Sequence, residues 1–217
     1  MKKGLSILLC ACLLFGLCAC TGQNGAKSKE TTTVSTTAST TKKPESTTKK
    51  RKTDFRNVCW GDSAARVKKE ETAKFIGESA QDTVGNMLSY EATIAGESTD
   101  LSYCFDDNDK LYRVYFGCNT KYTSFGQWKN CYDNLKKSLT AKYGKPKTDT
   151  VVNNVNQILI DLAGSQALEY GYVSYIADWK TSRTNIRLAL MSQEYKVFCG
   201  VLLTDKNHKD DPKDSGL

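Results

Sequence analysis

The hydrophobic positions of this chain follow a helical period most clearly over residues 124–143. Apolar side chains recur there at alternating spacings of three and four residues, which places them on one helix face: Phe125, Trp128, Tyr132, Leu135 and Leu139. Gly144 and Pro146 follow, and both residue types end helices. The pattern therefore predicts one long amphipathic helix with a defined C-terminal end.

Shorter elements are predicted before this helix. Residues 55–60 are typical of a short strand, and Asp62 or Ser63 is expected to cap a helix over 64–71. The next stretch alternates between apolar and polar positions, as a half-buried strand does, and places four residues on one face: Leu88, Tyr90, Ala92 and Ile94. Residues 95–98 then form a turn.

Two antiparallel strands are predicted over 99–106 and 110–118, joined by a two-residue turn at Asn108–Asp109. This turn fixes a register in which the core face carries the pairs Leu101–Phe116, Tyr103–Val114 and Phe105–Tyr112. Cys118 joins the core face and Cys104 lies on the opposite face, so these two cysteines are not expected to form a disulfide.

A second group of three strands is predicted over 171–179, 184–191 and 195–203, with turns centred at 181–182 and 193–194. In this register one face is almost entirely apolar, as the side of a sheet that packs on a core is. It carries Val173, Tyr175, Ala177, Ile186, Leu188, Leu190, Val197, Cys199 and Val201.

Together these elements predict an α+β fold, with antiparallel meander sheets and two main helices. A helix followed by three strands occurs twice, which suggests a tandem pseudo-repeat. Residues 150–162 are typical of a further strand, and 163–170 fit neither pattern. The folded part is expected to span 54–207 as a single domain, long enough for a hydrophobic core. Residues 208–217 form a polar tail.

The opposite face of the second strand group is unusually apolar for the solvent side of an antiparallel sheet. In the predicted register Phe198 lies opposite Ala189, and Gly200 leaves a depression. Aromatic residues, Met and one Arg are typical of the core of a protein interface. We predict a binding face formed by Tyr172, Ile176, Arg187, Met191, Phe198 and Leu202. The alternative is that a helix or the end of the preceding tether covers this face.

The first nineteen residues have the organisation of a secretory signal. A short basic start precedes an apolar segment over 5–17, which is short for a membrane span. Its end, Leu17-Cys18-Ala19-Cys20, resembles the lipobox of bacterial lipoproteins, although Cys18 departs from the usual residues at its position. The resemblance implies cleavage after residue 19 and acylation of Cys20 by diacylglyceryl and palmitate-type chains, which anchor a protein to the membrane.

Two alternatives bear on this leader. An ordinary secretory signal cut near Ala19 has the same composition, and a second lipobox match ends at Cys12. Cleavage before Cys12 would leave a mature chain that starts with another hydrophobic stretch, so we favour Cys20. Thr21 follows Cys20, which does not resemble the inner-membrane retention signal of Gram-negative lipoproteins.

Residues 20–53 are expected to be a disordered tether after the lipidated cysteine. The segment 21–53 holds eleven Thr and four Ser, and eight basic residues against two acidic ones. Such a composition buries too little apolar surface to fold. Its positive charge suits either an anionic wall polymer or plain solubility. Thr-rich tethers of this kind resemble those of Gram-positive surface lipoproteins, which implies the extracytoplasmic side of the cell membrane.

Short motifs of the domain resemble a loose group of small secreted or lipoprotein domains from Firmicutes. They are Trp60-Gly61-Asp62-Ser63 with Val67, Tyr103-x-Phe105 with Leu111, Leu139-x-x-Lys142-Tyr143-Gly144-x-Pro146, and Trp179 with Thr184-x-Ile186. The Gly-x-Ser start and the following meander also resemble the BamE (SmpA/OmlA) lipoproteins and β-lactamase inhibitory protein. The resemblance covers scattered pieces of 55–190 and implies an α+β binding module without catalytic residues.

Candidate catalytic chemistry is sparse along the chain. The one histidine, His208, lies in the polar tail, so no histidine is placed to activate a Ser or Cys nucleophile. The acidic run 106–109 is interpreted as a turn in preference to a cation loop, because it lacks the Gly and Glu of a calcium hand. We assign no catalytic residue, metal or cofactor, and leave open a carboxylate pair acting on sugars.

Five cysteines fall within the domain: Cys59, Cys104, Cys118, Cys131 and Cys199. An odd number leaves at least one of them unpaired within the chain. The sequence has no Cys-x-x-Cys metal motif in this region. Three of them, Cys118, Cys131 and Cys199, lie on or beside core faces. We interpret these three as small buried hydrophobic residues in preference to disulfide partners.

The favoured interpretation is a membrane-anchored, non-catalytic binding or scaffold module for an envelope protein. The alternative is a cell-wall glycan-directed enzyme or ligand-binding lipoprotein. A nucleic-acid partner is disfavoured, because residues 54–207 hold nineteen basic and nineteen acidic residues and therefore no net charge.

Overall fold

The structure is a computed structural model that describes residues 52–81 and 85–208. The predicted signal segment, the lipidation of Cys20 and nearly all of the tether lie outside the described residues. The predicted tail lies outside them too, except for His208.

Within this part of the chain the fold is one eight-stranded antiparallel sheet with three helices. The strands are β1 (Lys74–Gln81), β2 (Gly85–Ile94), β3 (Glu97–Phe105), β4 (Leu111–Cys118), β5 (Thr148–Asn153), β6 (Val173–Lys180), β7 (Thr184–Gln193) and β8 (Lys196–Asp205). The helices are α1 (Ala64–Glu70), α2 (Phe125–Tyr143) and α3 (Gln157–Ala163). A mixed fold of helices on an antiparallel sheet is therefore confirmed.

The strand order is β1-β2-β3-β4-β8-β7-β6-β5, so β4 and β8 meet at the centre of the sheet. One face of the sheet packs on a hydrophobic core, and all three helices contribute side chains to that core: Ala64 and Val67 from α1, Leu135 and Leu139 from α2, and Ile160 and Ala163 from α3. We call this the inner face and the opposite side the outer face. None of the three helices covers the outer face.

The helices predicted over 64–71 and 124–143 are present as α1 and α2, and the predicted caps Ser63 and Gly144 lie at their expected ends. Ser63 caps α1, and its side chain accepts a hydrogen bond from the Arg66 N–H. Ser124 caps α2, and Gly144 ends it in a left-handed conformation with a φ of 82°. The five apolar residues predicted on one face of α2 all belong to the core or pack against it.

The β3–β4 hairpin keeps the predicted pairs Leu101–Phe116 and Tyr103–Val114 but not the third. Phe105 pairs with Leu111 because a bulge shifts the register next to Cys104. The predicted pair Phe105–Tyr112 is therefore wrong, and Tyr112 is buried outside the main hydrophobic cluster. It stacks on His208, with ring centroids 4.2 Å apart.

The register of the second strand group differs from the prediction by two residues, while its core face is the predicted one. Tyr175 pairs with Leu190, and Leu190 pairs with Cys199, because the turns lie at 182–183 and 194–195. Side chains alternate between the two faces of a strand, so a shift of two leaves every residue on its predicted face. The predicted opposition of Phe198 and Ala189 is wrong, since Phe198 pairs with Met191.

Two other expectations are wrong, and one strand is missing from the prediction. Residues 55–60 form only an isolated bridge between Phe55 and Val58. The predicted strand over 150–162 is the end of β5 followed by α3. The edge strand β1 was not predicted at all.

Candidate functional site

The predicted binding face lies on the outer face of β6, β7 and β8. Met191 is paired with Phe198, Arg187 with Leu202, and Ile176 with Ala189 across adjacent strands. All of these side chains are half-buried except Ala189, which is buried. Five of the six predicted residues are therefore close neighbours on one surface.

Tyr172, the sixth predicted residue, lies one position before β6. Its ring is 5.5 Å from that of Tyr170 and packs against the hydrophobic core. The structure therefore does not bring Tyr172 onto the strand pairs that hold the other five.

Arg187 is engaged within the sheet. Its Nε and Nη2 donate to the two carboxylate oxygens of Asp178 on β6, at 2.8 and 3.1 Å. These hydrogen bonds, together with the negative charge of Asp178, raise the pKa of Arg187 against the effect of burial. The guanidinium is held in a fixed position, with a bidentate carboxylate partner, among apolar neighbours.

Tyr115 on β4 was not part of the predicted face, yet it fills the depression expected at Gly200. Gly117 and Gly200 are paired across β4 and β8. A Cβ atom on either glycine would lie 2.5 Å from the Tyr115 hydroxyl oxygen, so the hydroxyl end of this side chain lies against both glycines. Sequence reasoning had no signal for this contact, because the two glycines come from distant segments and adopt ordinary strand conformations.

A second surface feature is a cleft of about 250 Å³ on the helix side of the sheet. It lies between the start of α2, the segment 165–169 and the β7–β8 turn. Its lining is aromatic and apolar with hydroxyl groups and one carboxylate: Tyr122, Thr123, Ser124, Phe125, Trp128, Ser165, Leu168, Glu169, Tyr195 and Val197. No lysine, arginine or histidine is among these lining residues.

Packing and hydrogen bonding fix the orientation of two aromatic rings that line this cleft, those of Tyr122 and Trp128. Tyr122 meets the Trp128 ring edge to face, with centroids 4.9 Å apart. The Tyr122 hydroxyl donates to Glu97 at 2.6 Å, and burial together with that carboxylate raises the pKa of Tyr122 to about 12. The hydroxyl therefore stays protonated at physiological pH and keeps the ring fixed.

Tyr195 lies in the β7–β8 turn and is 72% exposed. Glu194 and Tyr195 have φ values of 51° and 61°, in the left-handed region that favours glycine or asparagine. A bulky residue in this conformation costs of order 1 kcal/mol. Tyr170 packs edge to face against the exposed ring, with centroids 6.2 Å apart.

The cysteines give one correction. Cys118 and Cys131 form a disulfide that joins the end of β4 to α2, so these two are not merely buried hydrophobic residues as predicted. Cys59, Cys104 and Cys199 are buried thiols, and Cys104 does not bridge to Cys118, as expected.

The sulfur atoms of Cys118, Cys131 and Cys199 lie within 4.8 Å of one another. Burial raises the pKa of the Cys199 thiol, with a smaller contribution from the charges of Glu97 and Asp133. The cluster thus holds one protonated thiol beside a disulfide. This arrangement offers no set of thiolates for a metal ion.

The acidic run 106–109 forms the β3–β4 turn. Asp106 Oδ1 accepts hydrogen bonds from the N–H groups of Asn108 and Lys110, at 3.0 and 2.8 Å. Asp109 accepts one from the Ala64 N–H at the start of α1, at 3.0 Å. Both carboxylates therefore have structural roles in this turn, as the turn interpretation expects.

Glu71 is the most deeply buried carboxylate with charged partners in the described part of the chain, and its side chain is 1% exposed. It accepts hydrogen bonds from Tyr103, from Arg56 at 2.9 Å and from the N–H groups of Thr72 and Ala73 at 2.7 Å. Burial raises the pKa of Glu71, but these donors outweigh burial and lower it overall. Its lone pairs are occupied by protein donors, which is the arrangement of a structural carboxylate.

Across the residues that the structure describes, no helix is long and apolar enough to cross a membrane. The chain was also compared with protein-family models, with curated proteins and with solved structures, and no match was found in any of the three comparisons.

Proposed function

We propose that this protein is a lipoprotein, anchored through acylated Cys20 to the extracytoplasmic side of the cell membrane of a Gram-positive bacterium. In this proposal it is a non-catalytic binding or scaffold module for an envelope protein. The basic tether over 21–53 holds the domain near anionic lipid or wall polymer.

The observation that carries the proposal is the apolar patch on the outer face of β6–β8, formed by Ile176, Ala189, Met191, Phe198 and Leu202. Leu202 is paired with Arg187, which forms the ion pair with Asp178, and Met191 is paired with Phe198 further along the same two strands. Tyr115 lies against the two glycines between these pairs. Aromatic residues, Met and Arg are enriched at interface cores, whereas the solvent side of an antiparallel sheet is normally polar. A half-buried, preformed surface of this kind loses little conformational entropy when it binds.

The test is in-cell cross-linking of the full-length chain followed by mass spectrometry, with Phe198→Asp as the variant. The matched control is Ser102→Asp, which places the same charge on the outer face of β3. We expect one dominant envelope-protein partner, lost in Phe198→Asp and kept in Ser102→Asp. Unchanged capture by Phe198→Asp, with a folded domain by circular dichroism, would contradict the proposal.

Anchoring is tested separately by Cys20→Ser. We expect the wild-type chain to partition into the detergent phase of a Triton X-114 extraction and to incorporate labelled palmitate. The variant is expected to do neither. Detergent partitioning that persists in Cys20→Ser would instead mean that another part of the leader holds the protein.

The second candidate is the cell-wall glycan-directed alternative, as an enzyme or a ligand-binding lipoprotein. The aromatic cleft on the helix side favours its ligand-binding form. Retention on purified wall material without any protein partner would support it over the scaffold proposal.

Two finer features of the predicted architecture are also proposals, namely the tandem pseudo-repeat with two main helices and the resemblance to known folds. Each half begins with a long or capped helix and contributes four strands, α1 with β1–β4 and α2 with β5–β8, and α3 is an addition between β5 and β6. This order suits a tandem pseudo-repeat in which α1 and α2 are the main helices. A resemblance to the BamE and β-lactamase-inhibitory-protein folds belongs to the same proposal. An experimental structure in which the two halves superpose strand for strand would support it.

A further inference from the structure

We propose that the cleft between α2 and the β7–β8 turn binds a single sugar ring, neutral or carrying an amino group. This site lies on the helix side of the sheet, away from the outer face of β6–β8. It is therefore separate from the proposed scaffold face, and the inference rests on the ligand-binding form of the second candidate function, whose ligand class it narrows.

The size of the cleft restricts its ligand. Its volume of about 250 Å³ is below the range of roughly 300–1,000 Å³ that is usual for drug-sized ligands. One six-membered ring with its substituents suits this space.

The charge of the lining restricts the ligand further. Glu169 is the one charged residue among the lining side chains, and it is exposed at the rim. A phosphate or carboxylate ligand would meet this negative charge with no lining cation to offset it. The lining is thus suited to a neutral or cationic ligand.

The mixture of side chains favours a sugar over a purely apolar ligand. A pyranose presents a flat face of C–H groups, which packs on aromatic rings such as Trp128 and Tyr195. Its edge carries hydroxyls, which need polar partners such as the Ser165 hydroxyl and the Glu169 carboxylate. A wholly apolar ligand would bury those polar groups without partners, at a cost in affinity.

The conformation of Tyr195 is independent evidence for a ligand. This tyrosine occupies the second position of a tight turn, with a φ of 61°, where glycine would be the more stable choice. Its ring is 72% exposed, so burial offers little compensation for the backbone strain. A strained, exposed aromatic residue at the wall of a cleft points to a role for its side chain in binding.

The test uses the full-length chain with N-acetylglucosamine, glucosamine and N-acetylglucosamine 6-phosphate as probes. Binding is measured by saturation-transfer NMR and by tryptophan fluorescence. Trp60 and Trp179 are only 6% and 3% exposed, so a change in fluorescence reports mainly on the partly exposed Trp128. We expect saturable binding of the first two sugars in the millimolar range, and at least tenfold weaker binding of the phosphate.

Tyr195→Gly separates binding from folding. Glycine suits the turn, so we expect an unchanged or higher melting temperature, together with at least a tenfold loss of sugar affinity. Tyr195→Phe is expected to keep binding, and Ser102→Asp, on the other face of the sheet, is expected to leave it unchanged. The proposal is overturned if neither sugar binds by either method, or if Tyr195→Gly binds as the wild type does.

Discussion

Across the outer face of the sheet, strands β1–β3 and strands β6–β8 differ in the residues that they present. The first group carries a polar set: Ser79, Ser89, Glu91, Thr93, Ser98, Asp100 and Ser102. The second carries an apolar patch that also holds Arg187: Ile176, Ala189, Met191, Phe198 and Leu202. Polar residues lie around this patch on the same face: Asp178, Lys180, Asn185, Gln193, Lys196 and Thr204. Both groups are antiparallel strands of one sheet, and no helix of the described chain covers either surface.

This comparison indicates whether the fold requires apolar side chains on the outer face of the sheet. A sheet that packs a core on one side is stable with a polar opposite side, as β1–β3 illustrate. The apolar residues of β6–β8 are therefore not needed for the architecture, and interaction with a partner is the reason that we propose. The one apolar exception in the first group is the pair Met87–Cys104, which is buried.

On the inner side of the sheet, the β1–β4 half holds a buried polar network around Glu71. The largest expected effect comes from breaking it. Glu71→Ala leaves Tyr103 and Arg56 without their shared acceptor, and we expect a loss of about 2–3 kcal/mol in the free energy of unfolding, measured by urea denaturation. Arg56 is partly exposed and regains water, which keeps the loss below that of a fully buried pair.

The same network predicts a pH dependence. The pKa of Glu71 is lower in the folded chain than its ordinary value of 4.5. Its stabilising contribution is therefore fully present above that value and is lost as the pH falls through the folded-state pKa. Glu71→Gln is expected to reduce the dependence of unfolding free energy on pH in acid. A variant with the wild-type slope would mean that other carboxylates dominate.

A smaller effect is expected from glycine substitutions on the two outer surfaces. Gly200→Ala places a methyl group against the Tyr115 ring and is expected to cost about 1–3 kcal/mol. The matched change Gly77→Ala on β1 meets nothing within 4 Å and is expected to be neutral or stabilising by about 0.5–1 kcal/mol. Equal effects in urea denaturation would remove this distinction between the two surfaces.

The smallest effect on stability is expected for the pair of charge variants. Phe198→Asp and Ser102→Asp both alter half-buried outer positions, and each is expected to change the free energy of unfolding by about 1 kcal/mol or less. A loss several times larger in Phe198→Asp alone would mean that its ring belongs to a folded core and that the apolar surface is structural.

Much of the fold followed from periodicity. The helix over 125–143 was predictable because its apolar positions and its terminal glycine agree. The predicted core faces of β6–β8 are correct although the predicted register is wrong, because a shift of two residues keeps every side chain on its face. The predicted Phe105–Tyr112 pair is wrong because a bulge adds a residue to one strand. The local sequence pattern does not indicate this bulge.

Other features depend on tertiary contacts. Strand β1 was missed because Phe75 and Ile76 are adjacent and both exposed, so the segment lacks the alternation of a half-buried strand. Helix α3 was assigned to a strand because an apolar run of its length suits either element, and Ile158 and Leu162 face solvent.

The candidate sites were predictable only in part. Five of the outer-face residues came from alternation within single strands, whereas Tyr115 came from a pairing between distant segments. The Cys118–Cys131 bond and the aromatic cleft each join residues of different elements, so they require the docking of α2 on the sheet. The strained turn at Tyr195 had no signal, since it depends on where the hairpin reverses.

The central position of β8 has a consequence for how the protein reaches its folded form. Of the strands described here, β8 is the last along the chain, and it is the one that joins the two halves of the sheet. Until β8 is added to the sheet, β4 and β7 each present an edge of unpaired backbone N–H and C=O groups, which can pair with strands of other chains. A chain that is threaded through a membrane from its N-terminus would therefore have to be held apart from its neighbours until residues 196–205 had crossed.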